Sequence, residues 1–87
     1  MEALAQLRKH VQGGKLVLGT EEAVKLLKLN GLARVFVAAN CPEPVRENIR
    51  RYCTASDCEL VELPVPNDEL GILCKKPFSV AVVGILR

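Results

Sequence analysis

The segment Arg34-Val35-Phe36-Val37-Ala38-Ala39-Asn40-Cys41-Pro42-Glu43-Pro44 decides how the chain is read. Residues 34–39 make a run of strand length that is apolar after Arg34 and lacks polar alternation, which predicts a strand covered on both faces. Asn40 to Pro44 cannot extend that strand, and Pro44 suits the first turn of a helix, where a missing N–H costs nothing. In that helix Val45, Ile49, Tyr52 and Cys53 form one stripe, with Arg46, Glu47 and Arg50 on another face. A strand that needs cover on both sides, followed at once by an amphipathic helix, points to an α/β arrangement.

The alternation extends in both directions. Upstream, Leu4, Leu7 and Val11 fall at helical spacing and Gly13-Gly14 ends that helix. Lys15 to Leu18 reads as a short strand closing at Gly19. A helix over Thr20 to Asn30 carries Ala23, Leu26, Leu27 and Asn30 on one side and Lys25 and Lys28 on another, and Asn30-Gly31 supplies a left-handed stop. Downstream, Glu59 to Leu63 reads as a strand and Pro64-Val65-Pro66 as a stiff connection. Asn67 or Asp68 is suited to cap a short helix over Asp68 to Cys74, and Phe78 to Leu86 (FSVAVVGIL) is the longest strand candidate. The order predicts a central mixed or parallel sheet with helices on both faces, in one domain spanning residues 1–87.

Composition narrows the functional classes. About half of the 87 residues are apolar and only Phe36, Tyr52 and Phe78 are aromatic, so the core must be aliphatic. No stretch approaches the roughly 20 apolar residues of a membrane span, and the opening residues lack the apolar run of a signal peptide, so a soluble, cytoplasmic protein with no membrane partner is expected. The four cysteines lack paired CxxC spacing and His10 is the only histidine, so no zinc or other metal site and no cofactor is expected. The thiols read as reduced and mostly buried, with a disulfide as the alternative.

Catalysis has little to build on. His10 is remote in sequence from any nucleophile, and the glycines match neither a dinucleotide fingerprint nor a phosphate-binding loop, so no enzyme activity or small-molecule substrate is expected. The enzymatic alternative is thiol chemistry at Cys41 or Cys53, since a helix beginning after Cys41 would lower its pKa. A protein-interaction adaptor using an edge of the sheet is another alternative. Charge is tilted: residues 1–40 carry six Lys/Arg against three acids, whereas residues 41–87 carry six against seven. That tilt is compatible with a nucleic-acid partner.

Three loops next to strands hold the candidate binding groups: Gly19-Thr20-Glu21-Glu22, Asn40-Cys41-Pro42 and Lys75-Lys76-Pro77-Phe78. Parallel strands would bring the first two to one sheet edge, where open α/β sheets place their sites. The first loop poses a problem. A glycine leading into a helix N-terminus offers free N–H groups to a phosphate, yet Glu21 and Glu22 would repel one. They are either dipole-favouring acids beside a Thr20 cap or acceptors for something that donates hydrogen bonds.

Three segments carry a family resemblance: GGKLVLGTEEAVKLLKLNGLARVFVAANCP, VRENIRRYC and NDELGILCKKPFSVAVVGI. In order and spacing they resemble the kink-turn RNA-binding ribosomal-protein superfamily, and within it the archaeal and eukaryotic large-subunit branch known as thirty-e. The resemblance implies a three-layer α-β-α sandwich with a four-stranded mixed sheet. It implies a non-catalytic protein of the large ribosomal subunit that binds and stabilises a kink-turn or related bent internal loop of ribosomal RNA, beside other large-subunit components. A kink-turn protein of a guide-RNA particle, or a stand-alone paralogue, is the alternative it leaves. The RNA-binding positions carried over are Gly19, Thr20, Glu21, Glu22, Lys25, Asn40, Phe78 and Val80, with Lys76 added as a phosphate partner.

Each of these suits the role chemically. Gly19 allows close backbone approach. Asn40 donates and accepts, as a base edge requires. Lys25, with Lys15, Lys28 and Lys76, neutralises phosphates. Phe78 and Val80 are expected to offer an apolar surface to an extruded base. A glutamate at the helix start accepts from guanine N1 and N2, which suits a base where it would repel a phosphate. Glu21 stands where the thirty-e branch commonly has a basic residue or Asn, while Glu22 matches the residue usual in the sister branch.

Overall fold

Helices and strands alternate along the residues that the computed structural model describes, 2–14 and 16–87. They are α1 (Glu2–Gly13), β1 (Leu16–Leu18), α2 (Thr20–Lys28), β2 (Leu32–Val37), α3 (Glu43–Ala55), β3 (Glu59–Glu62), α4 (Asn67–Leu73) and β4 (Val82–Leu86). The sheet order is β1-β4-β2-β3. Only β2 and β3 run parallel; β4 is antiparallel to both β1 and β2, so the sheet is mixed.

The two central strands have no polar face because both sides are covered. Val35, Val37 and Val82 join Ala23 and Leu27 of α2 and Ile49 and Cys53 of α3 in one core layer. Phe36, Ala38, Val83 and Ile85 join Leu7 of α1 and Leu70 and Cys74 in and after α4 in the other. The alternation along β2 and β4 therefore sends successive side chains into different layers, giving a three-layer α-β-α sandwich. Among the described residues no helix is long and apolar enough to cross a membrane.

Three helices end on a left-handed residue. In α2, Gly31 N–H donates to Leu26 O and Asn30 N–H to Leu27 O; in α4, Lys76 N–H donates to Gly71 O and Lys75 N–H to Ile72 O. Cys58 N–H closes α3 on Cys53 O. The residue just past each cap is left-handed: Asn30 at φ 60°, Asp57 at φ 54° and Lys75 at φ 60°. In α2 and α4 this is the paired-bond C-terminal motif that usually holds glycine, α3 showing the longer bond of the pair, and Asn and Asp tolerate the left-handed position.

Several boundaries differ from the sequence reading. β2 begins two residues early, at Leu32, with a register irregularity between Leu32 and Arg34. The long strand expected over Phe78 to Leu86 shrinks to Val82–Leu86. Residues 78–81 leave the ladder because Val80 N–H donates to Asn67 O, tying the segment to the start of α4. Thr20 is not a cap: Gly19 holds that position at φ 103°, ψ 150°, without a side-chain cap. Neither Asn67 nor Asp68 caps α4; Pro66 stands at that position.

Candidate nucleic-acid interface

Strand direction gathers the candidate loops. β1 and β2 point the same way and β4 runs against both, so Gly19 after β1, Asn40 beyond β2 and residues 78–81 before β4 all lie at one sheet edge. Because β3 parallels β2, its exit toward Asn67 reaches the same edge. Backbone bonds fasten the loops to one another. Gly19 N–H donates to Val82 O at 3.0 Å, Ala38 N–H to Ala81 O at 2.9 Å, and Ala39 N–H to Val65 O at 2.8 Å.

Gly19 makes the first corner possible. Its φ of 103° with extended ψ is a combination essentially reserved for glycine, and it turns the chain from β1 directly into α2. With no side chain capping the helix, the first-turn N–H groups face outward beside the exposed Glu21 and Glu22. Neither carboxylate forms a hydrogen bond or ion pair with another described residue, and Lys25, one turn on, is also exposed.

Asn40 is held differently from the expectation of a free base reader. Its Oδ1 accepts from Asn67 N–H at 2.8 Å and its Nδ2 donates to Asn67 Oδ1 at 3.0 Å. It supplies the acceptor that the start of α4 lacks, from 27 residues away. One amide hydrogen and one lone pair remain for a ligand. The carbonyls flanking Asn40 are also tied: Arg46 Nη2 donates to Ala39 O at 2.9 Å and to Cys41 O at 3.5 Å. Arg46 Nε lies 3.4 Å from Glu62 Oε1, close enough to pair in charge but without hydrogen-bond alignment.

Phe78 is 56% exposed, a large apolar side chain standing at this edge. Val80, expected beside it as surface, is 3% exposed and belongs to the core layer with Leu70 and Val83. The Val80–Asn67 backbone bond accompanies its inward turn, so of these two side chains only Phe78 offers apolar surface. Gly71 explains how Phe78 comes so close to α4: a Cβ there would run into the Phe78 carbonyl oxygen. Lys76 is exposed at the turn before Phe78. Lys15 lies outside the described residues, and Lys28 sits at the far end of α2 over the Tyr52 ring, 5.6 Å from its centroid.

The thiols are poorly suited to reactivity. All four are free and buried. Burial pushes the Cys41 thiol up, against a weaker pull downward from the Arg46 guanidinium, with Glu43 adding a smaller upward push. Cys53 is pushed up to about 12 by burial and by its neighbour Cys58. The helix start after Cys41 does not overcome desolvation. Among the described residues no group of three or more His, Cys, Asp or Glu is placed to hold a metal ion.

Residues 1–87 match the Ribosomal protein L7Ae/L30e/S12e/Gadd45 family. The chain belongs to this family. Among similar L7Ae/L30e-family proteins is the large ribosomal subunit protein eL30 of Methanopyrus kandleri, 40% identical over 81 residues, which covers 93% of this chain and 74% of that protein. The eL30 of Methanococcus vannielii is 35% identical over 87 residues, covering 100% of this chain and 83% of its own. A solved structure of the Giardia lamblia 15.5kD RNA binding protein superposes with a TM-score of 0.79 over 99% of this chain and 72% of that one, at 19% identity, a likeness of fold.

Sequence reasoning missed Asn67 and Arg46 as shapers of this edge. Asn67 looked like a local cap, and no local pattern links it to Asn40. Arg46 read as an exposed helix face, although its guanidinium folds back over the preceding loop. Gly71 was visible only as part of a family pattern, without its steric reason.

Proposed function

We propose that this chain is a non-catalytic ribosomal protein of the large subunit, acting in the cytoplasm as one RNA-binding domain over residues 1–87, that binds and stabilises a kink-turn or similar bent internal loop of ribosomal RNA. The observation that carries the reading is the meeting, at one sheet edge, of a helix start without a side-chain cap, two exposed carboxylates unpartnered among the described residues, a braced Asn40 and an exposed Phe78. Family membership and the eL30 relatives support the ribosomal setting.

The chemistry selects a bent, partly unpaired RNA. Glu21 and Glu22 accept hydrogen bonds from base edges, with N1 and N2 of guanine as the fitting donors. Phe78 gives an unstacked base a ring to stack on. Lys25 and Lys76 neutralise phosphates, and Gly19 lets the backbone come close. Val80 acts through the backbone bond that sets the Phe78 loop. A straight duplex offers neither an extruded base nor an open guanine edge, so the protein draws the RNA toward its bent form by binding that form alone.

Binding of a kink-turn RNA and a straight duplex of equal length, at two salt concentrations, tests the proposal. The kink-turn is preferred at both salts. Phe78→Ala weakens it by about 1–3 kcal/mol, the worth of one base stacked on an aromatic ring, and Glu22→Ala weakens it also. Equal, salt-sensitive binding of both RNAs refutes the reading. Glu22 also favours a guide-RNA particle as the assembly, which comparison of ribosome and guide-RNA binding separates.

A further inference from the structure

We propose that the RNA-binding surface continues from Phe78 over α4 onto α1, where Arg8 and Lys75 hold the phosphate backbone of a stem flanking the bend. This extension rests on the bend-binding reading above.

Two adjoining grooves define the path. One, of about 300 Å³, is lined by Asp68, Ile72, Lys76, Pro77 and Phe78. The next, of about 240 Å³, is lined by Arg8, Val11, Ile72, Leu73 and Lys75. Ile72 borders both and is 72% exposed, an apolar ridge between the two hollows. The surface is thus continuous from the exposed Phe78 ring to the outer face of α1.

Its charge fits a polyanion. Arg8, Lys75 and Lys76 are all exposed, and none forms an ion pair among the described residues. The one carboxylate on these groove walls, Asp68, accepts from the Glu69 N–H at the Phe78 end, away from Arg8. Lys75 adds a second indication. It holds a left-handed conformation at φ 60°, in a position where glycine or asparagine fits without cost, so a long cationic side chain is displayed there against local preference. An exposed isoleucine between cations suits the sugar face of a backbone whose phosphates lie on either side.

The occupant is therefore the backbone of a helical stem leaving the bend, and stem length makes the test. Wild type and Arg8→Gln/Lys75→Gln are titrated with a kink-turn of minimal stems and one with extended stems, from 50 to 200 mM salt. Each phosphate contact contributes about 0.9 to the slope of log affinity against log salt. With extended stems, wild type loses affinity about tenfold more than the double variant across that fourfold salt range. With minimal stems the two proteins behave alike. Arg51→Gln, exposed on α3 across the sheet from α1 and α4, serves as a control for net charge.

Equal slopes for wild type and double variant on extended stems overturn the proposal, as does an equal change from Arg51→Gln. Failure of wild type to prefer any kink-turn over duplex refutes instead the reading on which it rests. Both substituted residues are exposed, and unchanged thermal unfolding of the double variant verifies that the fold is intact.

Discussion

On the β3 side of the sheet, Arg34 pairs with Glu59 at 2.7 Å, Arg50 with Glu47 at 2.5 Å, and Arg46 with Glu62 at 3.4 Å. Around the α2 start and the α4–β4 turn, Lys25, Lys75 and Lys76 stand exposed with no ion-pair partner among the described residues. Both regions are rich in cations, yet they do different work. The arginines are planar forks that bind carboxylates and carbonyls of the same chain, whereas the lysines keep their charge available. A formal charge of +2 conceals this, because the arginines' charge is neutralised locally and the lysines' is not.

The strongest way to break the contrast is at Gly71, beneath the lysine-bearing turn. Gly71→Ala places a methyl against the Phe78 carbonyl, with the Phe78 carbonyl carbon at 3.1 Å and Ser79 Cα at 3.4 Å, all backbone atoms that cannot swing aside. Thermal or denaturant unfolding should show a loss of about 1–3 kcal/mol, the usual cost of overpacking. Kink-turn affinity should fall further, because Phe78 is displaced. A variant with unchanged stability and affinity would mean that α4 does not set the Phe78 loop.

A second comparison sets Arg46 against Lys25. Arg46→Ala leaves two carbonyls beside Asn40 without their donor and should cost about 1–2 kcal/mol of stability. It lowers kink-turn affinity by loosening Asn40 while leaving the salt slope unaltered. Lys25→Ala should do the reverse, preserving the unfolding midpoint and reducing the salt slope by about one. Arg50→Ala, in an exposed pair, should cost under about 1 kcal/mol. If Arg46→Ala changes the slope as Lys25→Ala does, Arg46 faces the RNA and the division between the two regions fails.

What could be read from sequence follows the range of the interactions. The alternation of elements was legible because each rests on local periodicity: Val45, Ile49, Tyr52 and Cys53 mark the buried face of α3 without any partner being known. The mixed sheet was not decided by the residues alone, because the same apolar run in β4 suits either strand direction. Gly19 and Asn40 stood out as loop residues after strands. Their bracing did not, since the Asn40–Asn67 clasp and the Val80–Asn67 bond join segments 13 to 27 residues apart. Val80 was misread for this reason: a bond distant in sequence turns its side chain from surface to core.

The smallest effect bears most directly on why the lysine-bearing turn has its composition. Asn30, Asp57 and Lys75 occupy equivalent left-handed positions past α2, α3 and α4, and only lysine lacks a short polar side chain that eases that conformation. Lys75→Gly removes the steric cost but gives the unfolded chain more freedom, so the net gain should be about 0.5 kcal/mol, a rise of a few degrees in a domain of this size. The same variant deletes one of the two cations assigned to the flanking stem, so its affinity for extended-stem RNA should fall while stability rises. Opposite signs on the two axes would mean that the strained residue is kept for its charge. A gain in stability with unchanged RNA affinity would make Lys75 a tolerated misfit and leave Arg8 alone on that face. A loss of stability would mean that the lysine stem packs usefully against Leu73 and Val11 along the α1–α4 groove, so that the turn belongs with the paired arginines, as structure, and not with the free lysines.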